Sequence, residues 1–118
     1  YTDHFRASGI AWRQKRQVVN DTAMVYVSDH GESLGENNLY LHGLPYAIAP
    51  DVQKRVPWIT WFSPGFAQRQ RLDVACLKGR ADTELSHDHY FHSALGLLDV
   101  ATSVYQPQLD AYAPCRAK

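Results

Sequence analysis

Hydrophobic and polar positions along this chain switch between a helical and a strand-like period. From Asp3 to Val19, Phe5, Trp12 and Val19 recur at seven-residue spacing with Ile10 beside them, and charged and amide side chains fill the other side. That spacing predicts a partly buried helix with Gly9 as its weak interior point and Asn20-Asp21 as its end. Thr22 to Ser28, T-A-M-V-Y-V-S, is instead a short, nearly continuous apolar run rich in β-branched and aromatic residues. Its length and its polar flanks predict a strand buried on both faces, as in a sheet covered by helices. Residues 31 to 56 hold no sustained period and are expected to form a long loop, the kind that often carries function.

Pro57 opens a second strand, Trp58 to Phe62, and Ser63-Pro64-Gly65 closes it as a turn. Residues 66 to 86 are mixed and polar and predict surface with a short helix. Phe91, Leu95 and Leu98 then set a helix over His87 to Val100, capped by Ser86 or Asp88. From Ala101 the chain breaks into short segments and turns. The order of elements predicts an α/β fold in one domain or one part of a domain.

At 118 residues the chain has room for a modest core. Fourteen aromatic residues exclude a disordered segment. Twelve basic and twelve acidic side chains cancel, which argues against a nucleic-acid partner. The best basic stretch, Arg13-Gln14-Lys15-Arg16, is read as the solvated face of the first helix. No apolar run approaches the roughly 20 residues of a membrane-spanning helix. Cys76 and Cys115 are too few and too far apart for a metal knuckle; they either pair or stay as buried thiols.

The densest polar stretch, Ser28-Asp29-His30-Gly31-Glu32-Ser33, follows the first strand directly. Open α/β sheets place ligands at the carboxyl ends of their strands. A turn at Gly31 would bring Asp29 and His30 toward one ion, and carboxylate plus imidazole suits Zn²⁺. His42 is the natural third partner. The plainer alternatives are a surface turn for the Asp-His pair, a backbone-bonded loop histidine for His42, and a helical first turn for Glu32. Glu36 is read as a solvated loop charge, and His87, His89 and His92 as surface histidines. There is no G-x-S-x-G elbow, P-loop or dinucleotide fingerprint, so the set of reactive groups is incomplete.

Met24 to Asn37 (M-V-Y-V-S-D-H-G-E-S-L-G-E-N) and Tyr40 to Pro50 (Y-L-H-G-L-P-Y-A-I-A-P) resemble the carboxyl-terminal part of the lipid A phosphoethanolamine transferases. That family includes the mobile colistin-resistance enzymes and belongs to the alkaline phosphatase and sulfatase superfamily. The similarity continues through Val56 to Phe66, Asp73 to Leu77, Ser86 to Val100 and Leu109 to Arg116. The resemblance implies the carboxyl-terminal portion of a sulfatase-like sandwich, residues 1–118, with helices packed on a mixed sheet. It implies a zinc enzyme anchored in a Gram-negative inner membrane with its catalytic domain in the periplasm. Such enzymes move phosphoethanolamine from phosphatidylethanolamine to lipid A through a phosphorylated threonine. Asp29 and His30 match the zinc ligands of the family, and His42 matches a histidine beside the phosphate group, a second zinc ligand in some members. Ser28 and Glu32 match motif positions expected to shape the site or support its ligands.

The nucleophilic threonine, a further carboxylate ligand and a further histidine lie upstream in the family, so this chain is expected to be a carboxyl-terminal fragment, inactive alone. The upstream part of the domain is its expected partner, and exposed strand edges invite self-association without it. A periplasmic setting makes Cys76 with Cys115 the leading pairing. The competing expectations are a related hydrolase or transferase acting on another glycan or lipid, and a structural module without a competent metal site.

Overall fold

The computed structural model describes residues 2–16 and 19–117. Helix α1 (Thr2–Arg16) leads to β1 (Ala23–Val27), β2 (Ser33–Leu34) and β3 (Tyr40–Leu41). A helical turn, α2 (Asp51–Lys54), precedes β4 (Trp58–Phe62), followed by α3 (Pro64–Arg69), α4 (Val74–Gly79) and α5 (His87–Leu97). Single 3-10 turns lie at Glu36–Asn38, Pro107–Leu109 and Ala113–Cys115. Strand β1 pairs with β4, and β2 pairs antiparallel with β3, with Ser33 opposite Leu41 and Leu34 opposite Tyr40. The elements gather into two compact units, residues 1–22 with 62–118, and residues 23–61.

The expected mix of helix and strand holds, and several details do not. α1 ends at Arg16; the expected extension through Gln17 and Val18 lies outside the described residues. Its predicted face is also displaced. Phe5 and Trp12 are 68% and 56% exposed, while the half-buried stripe is Arg6, Gly9, Ile10 and Arg13. That stripe has the i, i+3, i+4, i+7 spacing of a helix, which a seven-residue count through the largest side chains misses. Asp3 in the first turn and Arg13, Lys15 and Arg16 in the last suit the helix dipole.

β1 was expected to be buried on both faces, yet it is half-buried at every position, as is β4. A two-stranded sheet leaves each strand an unpaired edge, so apolar composition alone does not produce burial. Residues 31–56 contain β2, β3 and α2 and so are not irregular throughout. Ser63 opens a helix where a turn was expected: its 1% exposed hydroxyl accepts from Phe66 N at 3.3 Å and from Thr22 N at 3.0 Å. Asp73 caps α4 in the same way, accepting from Ala75 N at 2.8 Å and Cys76 N at 3.0 Å.

The larger unit is held by a small apolar core and by buried polar groups. Ala67, Leu72, Leu97 and Tyr112 are buried with Cys115, which forms a disulfide with the half-buried Cys76, their Cα atoms 5.6 Å apart. The expected pairing is therefore formed. It ties α4 to the last 3-10 turn, where Asp73 N also donates to Cys115 O at 2.9 Å. Asp110, 2% exposed, accepts from Tyr105 Oη at 2.7 Å and from Tyr112 N at 2.8 Å. Gly96 on α5 leaves the space for that carboxylate, since a Cβ there would meet Asp110 Oδ2.

Candidate metal centre

The smaller unit carries the polar stretch that follows β1. Ser28 Oγ donates to His30 O at 2.9 Å and stands 3.5 Å from Asp29 Oδ1. Asp29 Oδ1 in turn accepts from His30 N at 3.1 Å. The backbone N–H groups of Asp29 and His30, and then the charge of the His30 ring, hold the Asp29 carboxyl below the ordinary carboxylate range. His30 Nδ1 lies 2.9 Å from Gly31 O. A carbonyl can only accept, so Nδ1 carries a proton, and in the neutral ring Nε2 keeps its lone pair. That lone-pair nitrogen stands 3.7 Å from Asp29 Oδ2. Two ligands of one tetrahedral zinc, each about 2.0–2.1 Å from it, sit a little over 3 Å apart, so this pair is close to a chelating separation.

Gly31 turns the chain at this point because nothing larger fits: a Cβ would run into the backbone carbonyl of Val52. β2 follows, and the chain then reverses through Gly35, Asn37 and Asn38, all with positive φ. Asn tolerates that region and Gly prefers it. Glu36 is exposed, as expected of a loop charge, but it also ties the reversal together by accepting from Leu34 N at 2.7 Å. Leu41, with φ 65°, and Gly43, with φ 102°, flank His42. A left-handed leucine is uncommon, and here it sits immediately before the histidine that returns to the cluster.

His42 Nδ1 meets Glu32 Oε2 at 3.1 Å, and the His42 ring stacks on the His30 ring with centroids 3.8 Å apart and 30° between planes. The donor atoms of His30, Glu32 and His42 all lie within 4.8 Å of one another. The structure thus brings His30, Glu32 and His42 together, with Asp29 beside His30 and Ser28 bracing the turn behind them. Asp29 pairs with His30, whereas Glu32 reaches His42 directly. The backbone-bonded alternative for His42 and the helical-turn alternative for Glu32 do not hold.

The histidines of α5 serve the fold. Ser86 N donates to His89 Nδ1 at 3.1 Å at the start of the helix. His92 corrects the expectation of a surface group: it is 8% exposed, and its Nδ1 accepts from Gln106 N at 3.1 Å. One residue that supports the polar stretch went unnoticed in the sequence. Gln53 on α2, 8% exposed, donates through Nε2 to Ser33 Oγ at 2.8 Å. Nothing in A-P-D-V-Q-K announces it.

A cluster of carboxylate and imidazole groups at the end of a strand, in a mixed helix and sheet fold, fits the alkaline phosphatase-like class. The chain belongs to the sulfatase family, whose model matches residues 1–100. Within it, the chain is 49% identical over 117 residues to phosphoethanolamine transferase EptA of Salmonella typhimurium, covering 98% of the chain and 21% of that protein. It is 42% identical over 99 residues to phosphatidylethanolamine transferase Mcr-1 of Escherichia coli, covering 84% of the chain and 17% of that protein. The fold matches the soluble domain of lipooligosaccharide phosphoethanolamine transferase A from Neisseria meningitidis with a TM-score of 0.87 and 44% identity, over all of this chain and 36% of that one. The C-terminal periplasmic domain of EptC from Campylobacter jejuni gives a TM-score of 0.77 and 39% identity, over 96% of this chain and 35% of that one. The chain therefore spans about a fifth of the length of the curated relatives it matches. No helix among the described residues is long and apolar enough to cross a membrane.

Proposed function

We propose that the chain is the carboxyl-terminal portion, residues 1–118, of the periplasmic catalytic domain of a zinc-dependent phosphoethanolamine transferase anchored in the inner membrane. The whole enzyme takes phosphoethanolamine from phosphatidylethanolamine and passes it to lipid A. The observation that carries this reading is the cluster of Asp29, His30, Glu32 and His42 after β1, in a chain 49% identical to a phosphoethanolamine transferase.

The donor set fits zinc. Asp29 offers an ionised Oδ2 and His30 a free Nε2 at 3.7 Å, with the second oxygen and second nitrogen occupied by backbone partners. Zinc, when bound, supplies a Lewis acid that lowers the pKa of a coordinated hydroxyl and polarises a phosphoryl oxygen. A third ligand and the threonine nucleophile come from the upstream part of the same domain. Ser28 shapes the turn through His30 O. Glu32 holds the His42 ring by Nδ1, leaving Nε2 to meet a phosphoryl oxygen or a reacting hydroxyl. His42 stands close enough to His30 to take a second zinc in this role.

Transfer is a two-step displacement. The threonine oxygen bonds to phosphorus as the bond to the lipid glycerol oxygen breaks, and diacylglycerol leaves with a proton. A lipid A phosphate oxygen then displaces the threonine. By itself the chain holds part of this machinery and does not turn over, and without the rest of the domain its exposed apolar side chains drive self-association. A second reading, transfer to another acceptor, is favoured by the 37% identity over 92 residues to Kdo(2)-lipid A phosphoethanolamine 7''-transferase of Escherichia coli.

Mass spectrometry of lipid A incubated with phosphatidylethanolamine and the whole enzyme tests the reading. The expected product is lipid A carrying phosphoethanolamine, lost on Asp29→Asn or His30→Gln. Modification of an inner-core sugar alone would favour the second acceptor, and hydrolysis of the donor without transfer would contradict both.

A further inference from the structure

Glu32 sits between two residues that are both held by Gln53. On one side Gly31 N donates to Gln53 O at 3.0 Å, and on the other Gln53 Nε2 donates to Ser33 Oγ at 2.8 Å. Gly31 also lies against the Val52 carbonyl, so one helical turn grips Gly31 and Ser33, on either side of Glu32. Gln53 and Ser33 are both buried, at 8% and 1% exposure, while Glu32 is exposed. Successive side chains in an extended segment point to opposite faces. Fixing Ser33 inward on Gln53 therefore fixes Glu32 outward, where its carboxylate meets His42 Nδ1 at 3.1 Å. A slip of one residue would reverse both.

We propose that Gln53 is a positioning residue for His42, acting through Ser33 and Glu32 to hold the imidazole in its Nδ1–H tautomer. Its two bonds differ in kind. The backbone bond to Gly31 survives most substitutions, whereas the side-chain bond to the buried Ser33 hydroxyl depends on the carboxamide. Loss of that donor leaves a buried hydroxyl without its partner, and the segment relaxes toward water to recover one. Glu32 moves with it, since the two are adjacent. The role rests on the reading of His42 as a reactive group of the transferase site, but its readout does not.

The test is nitrogen-detected NMR of the histidine rings in the whole ¹⁵N-labelled enzyme, free of metal and near neutral pH, for the unsubstituted protein, Gln53→Met and Ser33→Ala. Methionine keeps the length of glutamine without its donor, and alanine removes the same bond from the other end with little change in shape. The expected result is a single Nδ1–H signature for His42 that moves toward the average of two tautomers in both variants, with His92 unchanged. Should Gln53→Met fail to fold, Ser33→Ala decides. A fall in melting temperature with the His42 nitrogen shifts unmoved would reduce Gln53 to a brace of the fold and overturn the proposal. The tautomer is read without transfer or zinc, so failure of the transferase reading would show in lipid products and not in these shifts.

Discussion

Two groups of histidines in this chain have opposite uses. On α5, His89 accepts from a backbone N–H at the helix start and His92 is buried against Gln106 N. Both nitrogens are spent on the fold. After β1, His30 and His42 are exposed, stacked on one another, and each turns Nδ1 to an oxygen. Each therefore keeps Nε2 for something outside the ring pair. The spacing of histidines along the chain separates these groups poorly; the partner of each Nδ1 separates them well. An acceptor role for Nδ1 marks structure, and a donor role frees the other nitrogen for a ligand.

If that contrast is right, substitutions around α5 appear as lost stability and substitutions after β1 as lost chemistry. The largest expected effect comes from opening the Cys76–Cys115 disulfide by a Cys76→Ala, Cys115→Ala pair. Closing a loop of 39 residues is worth about 4 kcal/mol in the chain-entropy account, which denaturant unfolding with and without reductant measures. Asp110→Ala follows, at about 3 kcal/mol by the same unfolding, because Tyr105 Oη and the buried Tyr112 N both lose their acceptor.

Tyr105→Phe is smaller, about 2 kcal/mol for a hydrogen bond to a carboxylate. It also changes the alkaline limb of stability. Burial, then the hydrogen bond and charge of Asp110, push the Tyr105 hydroxyl up to about 12. In the unfolded chain it titrates near 10, so the unfolded state loses its proton first. The contribution is whole below about pH 10 and is lost as pH rises toward 12, and that slope should vanish in the phenylalanine variant. Smallest in stability is Glu32→Gln, which leaves unfolding nearly unchanged. It lowers transfer by the whole enzyme about 10- to 100-fold, the usual effect of removing the partner that orients a site histidine. A large stability loss with normal transfer would erase the contrast between the two regions.

The sequence made the site easier to read than the packing. Ser28 through Glu32 and His42 were visible because unusual residue types crowd one strand end, and the structure joins them. What could not be read was that Glu32 meets His42 directly, which depends on how the chain returns through Leu41 and Gly43. Burial was misread for Phe5 and Trp12 on α1 and for the first long strand. Apolar composition says what a segment would bury given a neighbour, and these segments lack full cover within the described residues. Gln53 and His92 were missed for the converse reason: polar side chains look like surface until their partners are known. The Cys76–Cys115 pair was favoured by the resemblance and is formed.

The central claim is that Asp29 and His30 together hold zinc. Elemental analysis of the purified whole enzyme, alongside Asp29→Asn, His30→Gln and the α5 control His87→Gln, tests it most directly. Stoichiometric zinc in the enzyme and the His87→Gln variant, with loss in the other two, is the predicted result. Stoichiometric zinc retained in Asp29→Asn or in His30→Gln, or lost with His87→Gln, would contradict the account.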